Sequence, residues 1–170
     1  KLSPMSAADL QTMHIDPVRF IVPGLLPEGL SLLAGRPKMG KSLAALSMAL
    51  AVAGGGLLFG RFEVQKTADV LYLALEDNRG RLKSRVNVMT MGEPAPKNLR
   101  IVYSDDPELI RAGGRIDLVV SDWLEDSPAT KLVIIDTLGA IRGAAKKGSD
   151  LYQVDYAFMR GLQGPAHQHG

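Results

Sequence analysis

Gly35-Arg36-Pro37-Lys38-Met39-Gly40-Lys41-Ser42 fits the pattern G-x-x-x-x-G-K-[ST] of a phosphate-binding loop at every fixed position. Each fixed residue has a physical task. The glycines let the backbone wrap close to a polyphosphate, so that successive N–H groups point at its oxygens. Lys41 is placed to reach the outer phosphates, and the Ser42 hydroxyl to ligate a magnesium ion. The flanks decide whether the pattern is meaningful, because a glycine turn with a surface lysine also satisfies it. Leu30-Ser31-Leu32-Leu33-Ala34 reads as a short buried strand. Ser42 to Ala53 is rich in Ala, Leu and Met without a breaker and reads as a helix. Strand, glycine loop and helix N-terminus together form an anion site, since the helix dipole and its free N–H groups favour phosphate. The expected nucleotide cradle is therefore Gly35, Arg36, Pro37, Lys38, Met39, Gly40, Lys41, Ser42 and Leu43.

Outward from this loop, apolar runs alternate with helical patterns, as in an α/β domain with a mostly parallel sheet flanked by helices. Residues 3–13 suit a short leading helix, with Ser6-Ala7-Ala8-Asp9 resembling a capping box. Pro23-Gly24 and Pro27-Glu28-Gly29 read as turns that deliver the first core strand. Val70-Leu71-Tyr72-Leu73-Ala74-Leu75 is apolar without alternation, which suits a strand covered on both faces. Asp77 or Asn78 could cap a helix running to about Met91. Leu99 to Val102 reads as a third strand. Ile116, Val119, Val120, Trp123 and Leu124 have helical spacing, ending near Ser127-Pro128, with Trp123 read as a core residue. Leu151, Val154, Phe158 and Leu162 mark one face of a further helix within Asp150–Leu162.

Two carboxylates complete the chemistry. Lys131-Leu132-Val133-Ile134-Ile135-Asp136 has the Walker B form, an apolar strand that presents a carboxylate at its C-terminal end. Ligands of open parallel sheets sit at those ends, and Asp136 there can hold magnesium opposite Ser42. Many strands end in Asp as a turn residue, so the phosphate loop upstream gives this pattern its weight. Glu76 closes the second strand. A carboxylate at that edge can orient the water that attacks a γ-phosphate, or take its proton. The alternative is that Glu76-Asp77 merely opens the next helix, where acidic side chains are favoured. Asp77 reads as a cap or as a partner supporting Glu76.

Composition sets limits. A chain of 170 residues is about one domain, read as a leading segment over 1–17 and a core over 18–170. The net charge of +2 does not announce a nucleic-acid binder. With no cysteine there is no thiolate metal site or nucleophile, which suits a reducing cytosol and a cytoplasmic location. The start, Lys1-Leu2-Ser3-Pro4, lacks the apolar run of a signal peptide, and Lys1 in place of Met suggests a piece of a longer chain. The uncharged run Leu43–Gly60 contains Gly54-Gly55-Gly56 and reads as a buried helix plus a loop, not a membrane span. His167-Gln168-His169 reads as a polar turn before another strand, and zinc is disfavoured without cysteine. Ala144-Ala145-Lys146-Lys147-Gly148-Ser149 is a basic loop, solvated or against DNA phosphates. Asp105-Asp106-Pro107 is a turn with no evident role.

The segments Pro23–Gly29, GRPKMGKS, VLYLALED and LVIIDTLGAIR together resemble the RecA/DnaB superfamily of ATPases, over about residues 18–163. Within it the chain is most similar to RepA-like hexameric replicative DNA helicases of plasmids and phages, a branch suggested by the Leu-Glu-Asp ending and by the helix with Arg81 and Arg85. The resemblance implies a RecA-like fold, ATP with Mg2+ as cofactors, Glu76 and Lys41 as catalytic residues, and Ser42 and Asp136 as the metal pair. It also implies a hexameric ring of identical chains acting on single-stranded DNA. In proteins of this kind the strand after Walker B inserts between the Walker A and Walker B strands. This chain reaches His169-Gly170 where that strand would begin, so a longer native chain is expected, carrying the sensor, DNA loops and arginine finger. Rival readings are a recombinase-type or circadian-type ATPase of the same core, a small-molecule phosphotransferase, and a nucleotide-gated interaction module with little turnover.

Overall fold

A computed structural model describes residues 2–141 and 151–168. In chain order, α1 (Ala7–Thr12) opens on the expected capping box. The Ser6 hydroxyl accepts the Asp9 N–H at 3.1 Å, and the Asp9 carboxylate accepts the Ser6 N–H at 3.3 Å. This helix buries none of its residues. A small antiparallel ribbon follows, β1 (Phe20–Val22) and β2 (Leu26–Pro27), bent at Gly24, whose φ of 73° suits glycine. Next come α2 (Lys41–Gly54) and a hairpin of β3 (Gly56–Leu58) and β4 (Phe62–Val64). The main sheet begins with β5 (Asp69–Ala74), followed by α3 (Arg79–Met89) and β6 (Leu99–Tyr103). The chain continues through α4 (Pro107–Arg111), α5 (Ile116–Asp126), β7 (Thr130–Asp136), α6 (Leu138–Ile141) and α7 (Leu151–Gln168).

The main sheet has the order β6-β5-β7 with both pairings parallel. Its central strand explains the unbroken apolar run, because Val70 to Ala74 are all buried and helices cover both faces. Alternation along β5 sorts the side chains. Val70, Tyr72 and Ala74 enter one core with Leu46, Ala49 and Val52 of α2 and Leu82 of α3. Leu73 enters a second core with Leu109, Ile116, Val120, Leu124 and Leu162. Trp123 packs against this second core, as expected, and its indole N–H donates to the buried Thr130 hydroxyl at 3.0 Å. Asn98 joins α2 to β5: its amide donates to the Ala53 carbonyl at 3.0 Å and the Ala68 carbonyl at 2.7 Å. The mixed α/β fold with a parallel sheet is thus the expected class.

Several local expectations need correction. Leu30–Ala34 forms no strand, and Leu32 and Leu33 are exposed. A strand requires a hydrogen-bonded neighbour, and β7 pairs only with β5 among the described residues. Between Leu30–Leu33 and β7 lies an apolar groove of about 310 Å³, walled on the far side by Leu132–Ile135 and closed by Phe158 and Leu162. The glycine run after α2 leads into the β3–β4 hairpin, and Asp105-Asp106-Pro107 opens α4 with Asp106 as its cap. His167 and Gln168 continue α7, past Pro165, where a turn was expected; the helix is anchored through Leu162 in the second core. His169 and the basic stretch 144–149 lie outside the described residues.

Candidate active site

The loop of residues 35–40 owes its shape to two left-handed residues, Lys38 at φ 65° and Gly40 at φ 83°. Gly40 is the N-cap of α2 and supplies no side-chain bond, so the first N–H groups of that helix are not covered by a cap. The first turn closes with Ala44 N–H on the Gly40 carbonyl at 2.9 Å. Residues 31–39 are exposed, which leaves this N-terminus open to an anion. The Lys41 ammonium folds back across the loop and donates to the carbonyls of Gly35 and Arg36, at 2.9 and 3.0 Å. An ammonium has three N–H donors, so one remains for a phosphate oxygen. Arg36, Pro37 and Met39 are exposed along the rim, and Leu43 is exposed on the first turn of α2.

Ser42 and Asp136 are in contact, the serine hydroxyl donating to Asp136 Oδ1 at 3.0 Å. Their meeting follows from topology: α2 packs on the face of the sheet to which β5 and β7 send Tyr72 and Ile134. The other carboxylate oxygen is also engaged, since Tyr72 donates its phenolic proton to Asp136 Oδ2 at 2.7 Å. Burial, and then the adjacent Asp136 carboxylate, push the Tyr72 phenol far above its ordinary value, so it remains a donor. Sequence reasoning missed Tyr72. The available signal was a phenol within an otherwise aliphatic buried strand, where its O–H must find a partner.

Glu76 stands beyond the end of β5, exposed, with Oε1 3.5 Å from where a Cβ on Gly139 of α6 would lie. Asp77 beside it is in a different state. Its carboxylate is nearly buried and ion-paired with Arg85 and, at 3.2 Å, with Arg81. Asn78, not Asp77, caps α3, its side chain accepting the Arg81 N–H at 2.9 Å. The two adjacent carboxylates are thereby separated in character. Asp77 is ion-paired with two guanidinium groups, whereas Glu76 has no ion pair among the described residues.

The donor set also bears on magnesium. Among the described residues there is no group of three or more His, Cys, Asp or Glu able to hold a metal ion. Ser42 and Asp136 offer hard oxygen donors beside the anion site, which fits magnesium, an ion that takes few protein ligands and completes its shell with water and phosphate.

A parallel sheet, a glycine loop opening a helix, and a serine–aspartate pair at the strand ends define a P-loop ATPase. The chain belongs to the AAA domain family, whose model matches residues 1–170. No curated protein matches the chain. Family and fold together make it a nucleotide-binding ATPase motor core. No helix among the described residues is long and apolar enough to cross a membrane.

Proposed function

We propose that the chain hydrolyses ATP with magnesium as the motor core of a replicative DNA helicase of RepA type, working in the cytoplasm. The observation that carries the ATPase chemistry is the Ser42–Asp136 hydrogen bond, which joins the phosphate loop to the Walker B strand beside Glu76. The backbone N–H groups of Gly35–Leu43, Pro37 excepted because proline has none, would hold the phosphate chain, and Lys41 would turn from its carbonyl partners toward the outer phosphates. Ser42 and Asp136 would hold magnesium, which when bound offsets charge on the phosphate oxygens. Glu76 would orient a water for attack on the γ-phosphorus and take its proton, the bond to the β–γ bridging oxygen breaking as ADP departs. That it has no ion pair among the described residues supports that role over Asp77.

The helicase reading, with a hexameric ring and single-stranded DNA as partners, is supported by the sequence resemblance rather than by this geometry. The test is ATP turnover with and without single-stranded DNA, together with displacement of a labelled strand from a forked duplex. DNA-stimulated turnover with displacement is the expected result for the native protein. Turnover indifferent to DNA would leave an ATPase and remove the helicase. Failure to bind ATP with magnesium would remove both.

A further inference from the structure

We propose that Tyr72 is the positioning residue of the magnesium site, orienting Asp136 through a hydrogen bond to the carboxylate oxygen that does not face Ser42. The proposal rests on the nucleotide reading above. Tyr72 and Asp136 lie on neighbouring strands but are not direct partners: Tyr72 pairs with Ile134, and Asp136 pairs with Ala74. Ala74 contributes only a methyl group, so the tyrosine ring can extend along the same face of the sheet to the carboxylate. The ring is fully buried in the core beneath α2, and the phenol reaches Oδ2 at 2.7 Å. Ser42 holds Oδ1 at 3.0 Å. Both oxygens of one carboxylate are thus assigned, one to the phosphate loop and one to the core.

This matters because the terminal torsion of an aspartate is broad, and a single hydrogen bond does not fix the carboxylate plane. A donor anchored in a rigid strand does. Partners that orient a metal ligand commonly change metal affinity by about 10–100-fold when removed. The competing explanation is that a buried phenol needs some acceptor and Asp136 is merely nearby. The two differ in what they predict for the metal.

Tyr72→Phe removes the hydroxyl and keeps the ring. Binding of a fluorescent ATP analogue is to be titrated with Mg2+, with a parallel titration in EDTA and a thermal melt. The expected result is a roughly 10-fold or larger rise in half-saturating Mg2+, with the metal-free nucleotide affinity unchanged. Combining Tyr72→Phe with Asp136→Asn should add nothing to the magnesium defect of Asp136→Asn alone, because Tyr72 acts through that carboxylate. An unchanged magnesium midpoint overturns the proposal, as do additive effects in the double variant. A Tyr72→Phe chain that fails to fold also overturns it, since the hydroxyl would then be structural. If the parent chain shows no magnesium-dependent nucleotide binding at all, the ATPase reading itself has failed, an outcome the parent titration shows separately.

Discussion

Ser42 and Asp136, 94 positions apart, are joined by a 3.0 Å hydrogen bond from the serine hydroxyl to Asp136 Oδ1. One residue belongs to the first turn of α2 and the other ends β7. That bond exists because α2 packs across the same sheet face that carries Tyr72 and Ile134. The glycine loop, the Ser42–Asp136 pair and Glu76 therefore gather at the C-terminal ends of β5 and β7.

Lys41→Ala should leave the fold intact, since among the described residues Lys41 bonds only to the loop carbonyls of Gly35 and Arg36. Nucleotide affinity should fall on the order of 10–100-fold, the scale of a lost charge-assisted hydrogen bond. Titration with a fluorescent ATP analogue, alongside far-ultraviolet circular dichroism, measures both. Parent-like affinity would count against the phosphate-loop reading.

Glu76→Gln and Asp136→Asn should separate chemistry from binding. The first keeps size and polarity but removes the base, so ATP binds while turnover drops by roughly 100-fold or more. The second weakens the metal pair with Ser42, so magnesium-dependent binding and turnover fall together. Affinity and single-turnover rates for both variants check this; an unimpaired Glu76→Gln protein would assign the base elsewhere.

The two motif glycines should respond differently to alanine. Gly40 has φ 83°, and an alanine there costs about 1–2 kcal/mol of backbone strain although nothing crowds its Cβ position. Gly35 is not in the left-handed region, and its Cβ would meet Lys41 Cδ at an ordinary 3.7 Å. Gly40→Ala should lower stability and nucleotide affinity, whereas Gly35→Ala should fold like the parent. Equal melting temperatures for the two variants would contradict this difference.

Asn98→Ala should destabilise the chain without touching the nucleotide site. It strips the amide donor from the Ala53 and Ala68 carbonyls, at a cost of about 2–3 kcal/mol. A melting temperature lower by roughly 4–12 °C is expected, with unchanged nucleotide affinity in the cold. A melt identical to the parent's would show that water satisfies those carbonyls.

What the residues determine alone is local. Ser6 and Asp9 cap a helix, Asp77 or Asn78 marks the start of another, and the unbroken apolar run Val70–Ala74 reads as a covered strand. The phosphate loop is legible because its task is performed by backbone geometry within a short stretch, which demands glycine at Gly40. Pairing is different, because it depends on what lies alongside. Leu30–Ala34 has the composition of a strand yet forms none, since no described strand runs beside it. The hairpin Gly56–Val64 hides behind glycines that read as a loop. Likewise, nothing in the run VLYLALED says that Tyr72 touches Asp136, or that Asp77 rather than Glu76 is claimed by Arg81 and Arg85. Those assignments depend on strand register and on how helix α3 lies against the end of β5. Distances of a few ångströms between residues far apart in the chain are set by packing, and only the folded chain decides them.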